Sequence, residues 1–164
     1  MTTIEILSTN PDILKLGIRS TEPTMLDLIN DARDEIQILS YAVTNGADKI
    51  LHALERALSR GVKVNFVMNS KEEMDEGVAM SLRSLIQNYK YCKMYIFGYN
   101  GTQDLHAKIM VSDREKAIVG SSNLTARGLT WNLEIGFLIE DEIVWKLSEI
   151  IDRIVEGYCL FVPF

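Results

Sequence analysis

The stretch from Glu35 to Met68 leaves this chain little topological freedom. "EIQILSYAV" is a continuous apolar run of the kind a buried strand makes. "GADKILHALERALSRG" follows, with Ile50, Leu51, Leu54 and Leu58 at helical spacing and Gly61 at the C-terminal end. "VKVNFVM" is a second apolar strand. Strand, helix, strand at this spacing is a parallel crossover, right-handed by the general rule, and it calls for an α/β sheet.

The rest of the chain fits the same plan. "TMLDLINDAR", residues 24 to 33, reads as a helix with Met25, Leu28, Ile29 and Ala32 on one face. "KEEMDEGVAMSLRSLIQNY" is a second helical region, broken near Gly77, and "CKMYIFG" is a strand. A polar turn spans Gly98 to Asp104, and then "LHAKIMVS", "KAIVGSS" and "LEIGFLIED" are three strands in quick succession. "EIVWKLSEIIDRIVEGY" is an amphipathic helix, and the apolar tail "CLFVPF" is expected to pack on a core or on a partner. "TIEIL" is a candidate extra strand. The pattern predicts an α/β fold, a mixed β-sheet flanked by helices on both faces, in a single domain over residues 1–164.

Composition narrows the setting. With 47% apolar and 24% charged residues, a real core is available and disorder is not expected. No apolar window is long enough to cross a bilayer, and "MTTIEILSTNPD" has neither the basic nor the long apolar region of a secretion signal. Cys92 and Cys159 fit neither a disulfide framework nor a zinc site, so a reducing, cytoplasmic setting is expected. The net charge of −6 argues against a general basic coat for nucleic acid or anionic membrane. It leaves room for a local positive cleft, since Lys108, Arg114, Lys116 and Arg127 fall close together in the chain.

The chemistry concentrates in "LHAKIMVSDREKAIVGSSNLTARG", residues 105 to 128. If this begins as a strand, Leu105, Ala107, Ile109 and Val111 face the core, while His106 and Lys108 share the other face about 7 Å apart. A turn at "SDREK" brings "KAIVGSS" back alongside. Gly120 allows close backbone approach, and Ser121 and Asn123 add a hydroxyl and an amide. An imidazole, an ammonium, a hydroxyl and an amide together suit a phosphate group: the cation and donors balance its oxygens, and the imidazole attacks phosphorus or moves a proton.

The spacing H-x-K-x4-D-x6-G-S-x-N, here His106, Lys108, Asp113, Gly120, Ser121 and Asn123, resembles the signature of the phospholipase D superfamily. Glu134 stands where the nuclease branch carries a glutamate. "GADKILHALERALSRGVKVNFVMN" looks like the helix and strand before the motif in small bacterial nucleases, and about residues 24 to 157 follow the pattern. "GSSNLTARGL" with "NLEIGFLIE" is similar to phospholipase-D-like proteins of antiphage and restriction systems.

The resemblance implies a two-step reaction in which two motifs face each other, one histidine forming a phosphohistidine and the other protonating the leaving oxygen and then activating water. No metal or other cofactor takes part. His106 then serves as nucleophile in one copy and acid/base in the other, Lys108 and Asn123 hold phosphate oxygens with Ser121 in support, and Glu134 hydrogen-bonds the imidazole. Asp113 is given a structural role, bracing the turn, beside Gly120. The chain has one such motif, and His52 has no lysine two residues on. The implied assembly is therefore a homodimer with a composite site near the twofold axis, burying roughly 1,600 Å² or more.

Other conspicuous residues have plainer readings. His52 lies off its helix's apolar stripe and is read as solvated; "KEEMDE" is read as a solvated helix start. Met68, Met74, Met80 and Met94 are read as core filler. Trp131 is read as packed, with base stacking as the alternative; Arg127 is either a backbone contact or a plain surface residue. For the substrate, hydrolysis of DNA or RNA ranks first. A lipid phosphodiesterase comes second, with the tail as its candidate apolar surface, and a non-catalytic nucleic-acid-binding subunit with defence-system partner proteins comes third. A metal-dependent nuclease ranks last, because the acids and histidines show no ligand spacing.

Overall fold

The computed structural model describes residues 2–98 and 101–163. The crossover forms as the apolar runs dictate. Strand β3, Glu35–Ser40, pairs in parallel with β4, Lys63–Met68, and helix α3, Asp48–Ser59, joins them. The stripe of α3 is buried at Ile50, Leu51, Leu54 and Leu58, while His52 is exposed. Each such buried aliphatic side chain contributes about 1.5–3 kcal/mol over leaving it in water.

Around this unit, β1 (Thr3–Ser8), β2 (Arg19–Ser20), β5 (Cys92–Phe97), β6 (Ile109–Ser112), β7 (Lys116–Gly120), β8 (Ile135–Glu140) and β9 (Cys159–Phe161) complete a nine-stranded mixed sheet among the described residues, in the order β2-β1-β8-β7-β6-β3-β4-β5-β9. Strands β3, β4 and β5 (Cys92–Phe97) run parallel. The direction reverses between β3 and β6, Ile109–Ser112, and β6, β7 (Lys116–Gly120) and β8 (Ile135–Glu140) form an antiparallel meander.

Helices cover both faces. On one, α2 (Thr21–Asp31), α3 and α4 (Glu76–Asn88) bury the larger core, which includes Met25, Leu28, Ile36, Phe66, Met94, Met110 and Leu138. On the other, α5 (Ile143–Tyr158) packs Val144, Leu147 and Ile151 on Leu39, Val67, Val111 and Ala117. The sheet alternation explains the division: Met110 points to the first core, and Leu105, Ala107, Ile109 and Val111 to the second.

Several local expectations shift. Helix α2 begins at Thr21 rather than residue 24, because Pro23 sits in its first turn, where a missing N–H costs nothing. The helical region before β5 breaks at Met74 and Asp75, not at Gly77; a 3-10 turn, Lys71–Glu73, precedes α4, and Asp75 caps α4 by accepting from the Val78 N–H at 2.9 Å. Met68 and Met94 are buried and Met74 packs against the core, but Met80 is exposed on α4 and is not core filler.

"TIEIL" is strand β1, Thr3–Ser8, antiparallel to β8, followed by a one-turn helix α1, Pro11–Leu14, and a two-residue strand β2, Arg19–Ser20. The tail forms β9, Cys159–Phe161, antiparallel to β5, with Val162 in the core and Leu160 and Phe161 exposed. Phe164, at the end of the tail, and Tyr99 and Asn100, in the turn expected from Gly98 to Asp104, lie outside the described residues.

Candidate active site

At the point where strand direction reverses, the C-terminal ends of β3 and β4 meet the N-terminal end of β6, with β7 ending and β8 beginning beside them. Crevices of this kind collect ligands in open α/β sheets. His106 and Lys108 reach it from the segment just before β6. This segment is extended, but the ladder starts only at Ile109; short of it, Lys108 C=O accepts the Gly120 N–H at 3.2 Å. Asn69, at the end of β4, holds the segment in place of a strand partner. Its Oδ1 accepts the Leu105 N–H at 2.7 Å, and its Nδ2 donates to Asp104 at 3.2 Å.

His106 is exposed and Lys108 half-buried. The strand spacing alone sets them about 7 Å apart. The lysine stem folds back, however, so that Nζ lies 3.0 Å from His106 Nδ1 and donates to the His106 carbonyl at 2.7 Å. An ammonium only donates, so Nδ1 is the acceptor and the proton of a neutral ring sits on Nε2. Burial holds the Lys108 amine below the usual lysine value, and the nearby Glu134 carboxylate opposes that shift. The Tyr41 ring, just past β3, lies 5.3 Å from the imidazole, and its hydroxyl donates to Glu73 at 3.1 Å.

The second half of the site comes from β7 and β8. Gly120 faces Gly136 across the ladder, and a Cβ on Gly120 would stand 2.8 Å from Gly136 Cα and 2.9 Å from the Ile135 carbonyl. This close approach sets Ser121 against Glu134: the Ser121 hydroxyl donates to Glu134 Oε2 in a short bond, and Asn132 Nδ2 donates to Oε1 at 3.2 Å. The carboxylate is thus bound to Ser121 and Asn132. The imidazole hydrogen bond expected for it is made instead by Lys108, whose flexible stem reaches Nδ1. Strand β1 fixes the main chain of Glu134 through Ser8, which donates to its carbonyl at 3.0 Å, and Thr9, which accepts its N–H at 3.0 Å.

Asn123 follows in the turn after β7. Its side-chain oxygen is buried and has no hydrogen-bond partner. A small hollow of about 20 Å³ below this end of the sheet is lined by Lys108, Gly120, Ser122 and Gly136 among others. A π-type turn, Arg127–Trp131, then leads back to Glu134, closed by the Asn132 N–H to the Arg127 carbonyl at 2.8 Å. Packing does not hold Trp131: the turn buries Gly128 and Leu129 and leaves Trp131 on its outer side, 83% exposed, with Arg127 exposed as well.

Asp113 stands apart, at the far end of β6, about 16 Å along the strand from Lys108. Its carboxylate accepts the N–H groups of Arg33 at 2.9 Å, Asp34 at 2.8 Å and Glu35 at 3.0 Å, tying the hairpin turn to the start of β3. The acidic run is not simply solvated: Glu73 receives Tyr41, and Asp75 accepts the Asn45 N–H besides capping α4. The sequence reading missed Tyr41 and Asn69. Their signal was positional, since each directly follows a parallel strand, where α/β sites gather. Among the described residues, no group of three or more His, Cys, Asp or Glu is arranged to hold a metal ion, and no helix is long and apolar enough to cross a membrane.

Known proteins resemble this chain in sequence and in fold. The family model described as "Cardiolipin synthase, PLD-like domain" matches residues 25–156. The chain is 31% identical over 157 residues to the DISARM protein DrmC of Bacillus paralicheniformis, covering 94% of this chain and 64% of that protein. It is 32% identical over 116 residues to cardiolipin synthase B of Escherichia coli K12, covering 71% of this chain and 27% of that enzyme. This chain thus spans less than two thirds of either relative. The fold matches that of Nuc from Salmonella typhimurium, a phospholipase D family member, with a TM-score of 0.81 at 18% identity and full coverage of both chains. It also matches NucT from Helicobacter pylori, with a TM-score of 0.76 at 17% identity, covering 96% of this chain and 98% of that one.

Proposed function

The chain belongs to the phospholipase D-like domain family, and on that premise we propose that it is a metal-independent nuclease that cuts DNA or RNA through a phosphohistidine at a site shared by two copies. The observation that carries this is the meeting of the His106–Lys108 pair with the Ser121–Glu134 pair at the reversal point of the sheet.

The side chains divide the work by their chemistry. Lys108 and Asn123 bind the non-bridging phosphate oxygens, and Ser121 supports them. With Lys108 on Nδ1, the resting His106 ring carries its proton on Nε2. In the attacking copy, a phosphate oxygen draws the ammonium away from Nδ1. The ring proton then moves to Nδ1, where Glu134 takes it as a hydrogen bond. Nε2 is free to form the P–N bond as the P–O bond to the leaving strand breaks. The other imidazole, whose Lys108 has likewise turned to the phosphate, enters as the imidazolium, gives its Nε2 proton to that oxygen and is left neutral with its remaining proton on Nδ1. It then takes a proton from water, which attacks phosphorus and releases the histidine.

One chain supplies one such imidazole, so the reading needs a homodimer. An uncovered apolar sheet face supports it. Helix α5 leaves β1 and β8 open, and Ile4, Ile6, Ile135 and Phe137 stand 43–59% exposed on that face. A patch of this kind marks an interface. Glu134 directly precedes β8, so the site and the patch adjoin. Defence-system proteins are proposed as partners, a reading that the likeness to the DISARM protein DrmC supports, and a cytoplasmic setting is proposed with them. The same apolar face, with the likeness to cardiolipin synthase B, favours lipid phosphodiester hydrolysis as the second reading.

The test is cleavage of DNA and RNA by the purified protein in EDTA, beside anionic vesicles. Cleavage is expected to fall with rising salt, and to vanish in His106→Asn with the melting temperature unchanged. A solution mass of two chains is expected. Lipid hydrolysis without nucleic-acid cleavage would establish the second reading, and an active monomer would overturn the shared site.

A further inference from the structure

We propose that Tyr41 is a positioning residue for His106, its ring backing the imidazole and its hydroxyl anchored on Glu73. The proposal rests on His106 being the reactive imidazole. His106 precedes the first ladder pair of β6, so strand pairing does not fix its side chain. Asn69 holds the backbone one residue earlier, through the Leu105 N–H. The imidazole ring itself still needs a wall. Tyr41 supplies one, with ring centroids 5.3 Å apart and the planes tilted by 47°. Lys108 Nζ also lies 5.9 Å from the Tyr41 ring centroid, so the same aromatic ring borders both members of the pair.

The wall is itself held at two points. Tyr41 directly follows β3, whose backbone is paired on both sides. At the other end, its hydroxyl donates to Glu73. The 3-10 turn that carries Glu73 is tied back to the loop after β3, because the Glu73 carbonyl accepts the Val43 N–H at 3.0 Å and Asp75 accepts the Asn45 N–H. The hydrogen bond and charge of Glu73, with Asp104 adding to them, keep the phenol above the ordinary tyrosine value. Tyr41 therefore stays neutral and passes no proton to the reaction. Its effect on His106 is geometric and electrostatic: an aromatic face favours the positive imidazolium that forms whenever this ring takes up a proton.

Two variants test the assignment, in a His52→Gln background that leaves one histidine ring to observe by NMR. Tyr41→Leu removes the ring; Glu73→Ala frees the hydroxyl and leaves the ring in place. Turnover of bis(p-nitrophenyl) phosphate is expected to fall about tenfold in Tyr41→Leu and about threefold in Glu73→Ala, with KM changed less than twofold. Ring ¹³C relaxation of His106 is expected to show a rigid ring in the parent and a mobile one in Tyr41→Leu. Turnover within twofold of the parent in both variants, or a ring as rigid without Tyr41 as with it, overturns the proposal. If the parent cleaves no phosphodiester, the proposed function fails separately, and the relaxation measurement alone decides the role of Tyr41.

Discussion

Replacing Asp113 by alanine separates bracing of the fold from chemistry at the site. The carboxylate accepts three backbone N–H groups at 2.8–3.0 Å, from Arg33, Asp34 and Glu35. A hydrogen bond to a charged group contributes about 1.5–3 kcal/mol when shielded from water. Here only the Glu35 bond is partly buried, and the other two are exposed. Water replaces the exposed pair at a cost nearer 0.5 kcal/mol each. Asp113 also holds φ at 53°, a left-handed conformation that aspartate tolerates better than alanine does. Together these give a loss of about 3 kcal/mol for Asp113→Ala, and about half of that for Asp113→Asn, which keeps one acceptor oxygen. With a urea dependence of about 2 kcal/mol per molar, the alanine midpoint falls by about 1.5 M. Turnover per folded molecule stays within about twofold, because Asp113 is at the opposite end of β6 from His106. A loss below about 1 kcal/mol would refute the bracing role. Abolished turnover with stability intact would place Asp113 in the chemistry.

Gly120→Ala is expected to cost about 1–3 kcal/mol, because the new Cβ meets Gly136 Cα at 2.8 Å and forces β7 and β8 apart. Turnover is expected to fall at least tenfold as Ser121 and Glu134 separate; thermal melts and initial rates measure both effects. Burial pushes the Cys92 thiol from 9.0 up to about 12. Between those values the unfolded chain releases a proton that the folded chain keeps, so stability present below pH 9 is lost as pH rises toward 12. Cys92→Ala should flatten that decline in urea midpoints taken across the range. The lowered value of Lys108 means that it loses its charge below the usual lysine range of 10.5. The alkaline limb of kcat/KM should accordingly fall before that range in the parent and move upward in Lys108→Arg.

The parallel crossover was legible because β3, α3 and β4 each carry an unbroken periodic signal over six or more residues. The His106 to Asn123 spacing was legible because a short hairpin turns sequence distance into spatial proximity. What escaped depends on contacts far apart in the chain. The role of β1 was not readable, since its partner β8 and the Glu134 main chain that Ser8 and Thr9 hold lie some 125 residues away. Tyr41 and Asn69 meet His106 only once β3, β4 and β6 are placed side by side. The exposure of Trp131 and Met80 was not readable either, because an apolar residue is buried only if some other element arrives to cover it. The Lys108 bond to the imidazole depends on the rotamers of a long stem, which no spacing rule fixes.

A pleated chain has two sides only. From Glu134 to Leu138, one parity turns the carboxylate inward, with Gly136 and Leu138 behind it, and the other turns Ile135 and Phe137 outward. Insertion of a single residue just before Ile135 would shift this phase, taking the acid out of the pocket while the outward stripe stayed put. A two-residue insertion would keep both in phase. A change of length at this junction that keeps both the acid and the apolar stripe facing as they do is therefore bound to even-numbered steps.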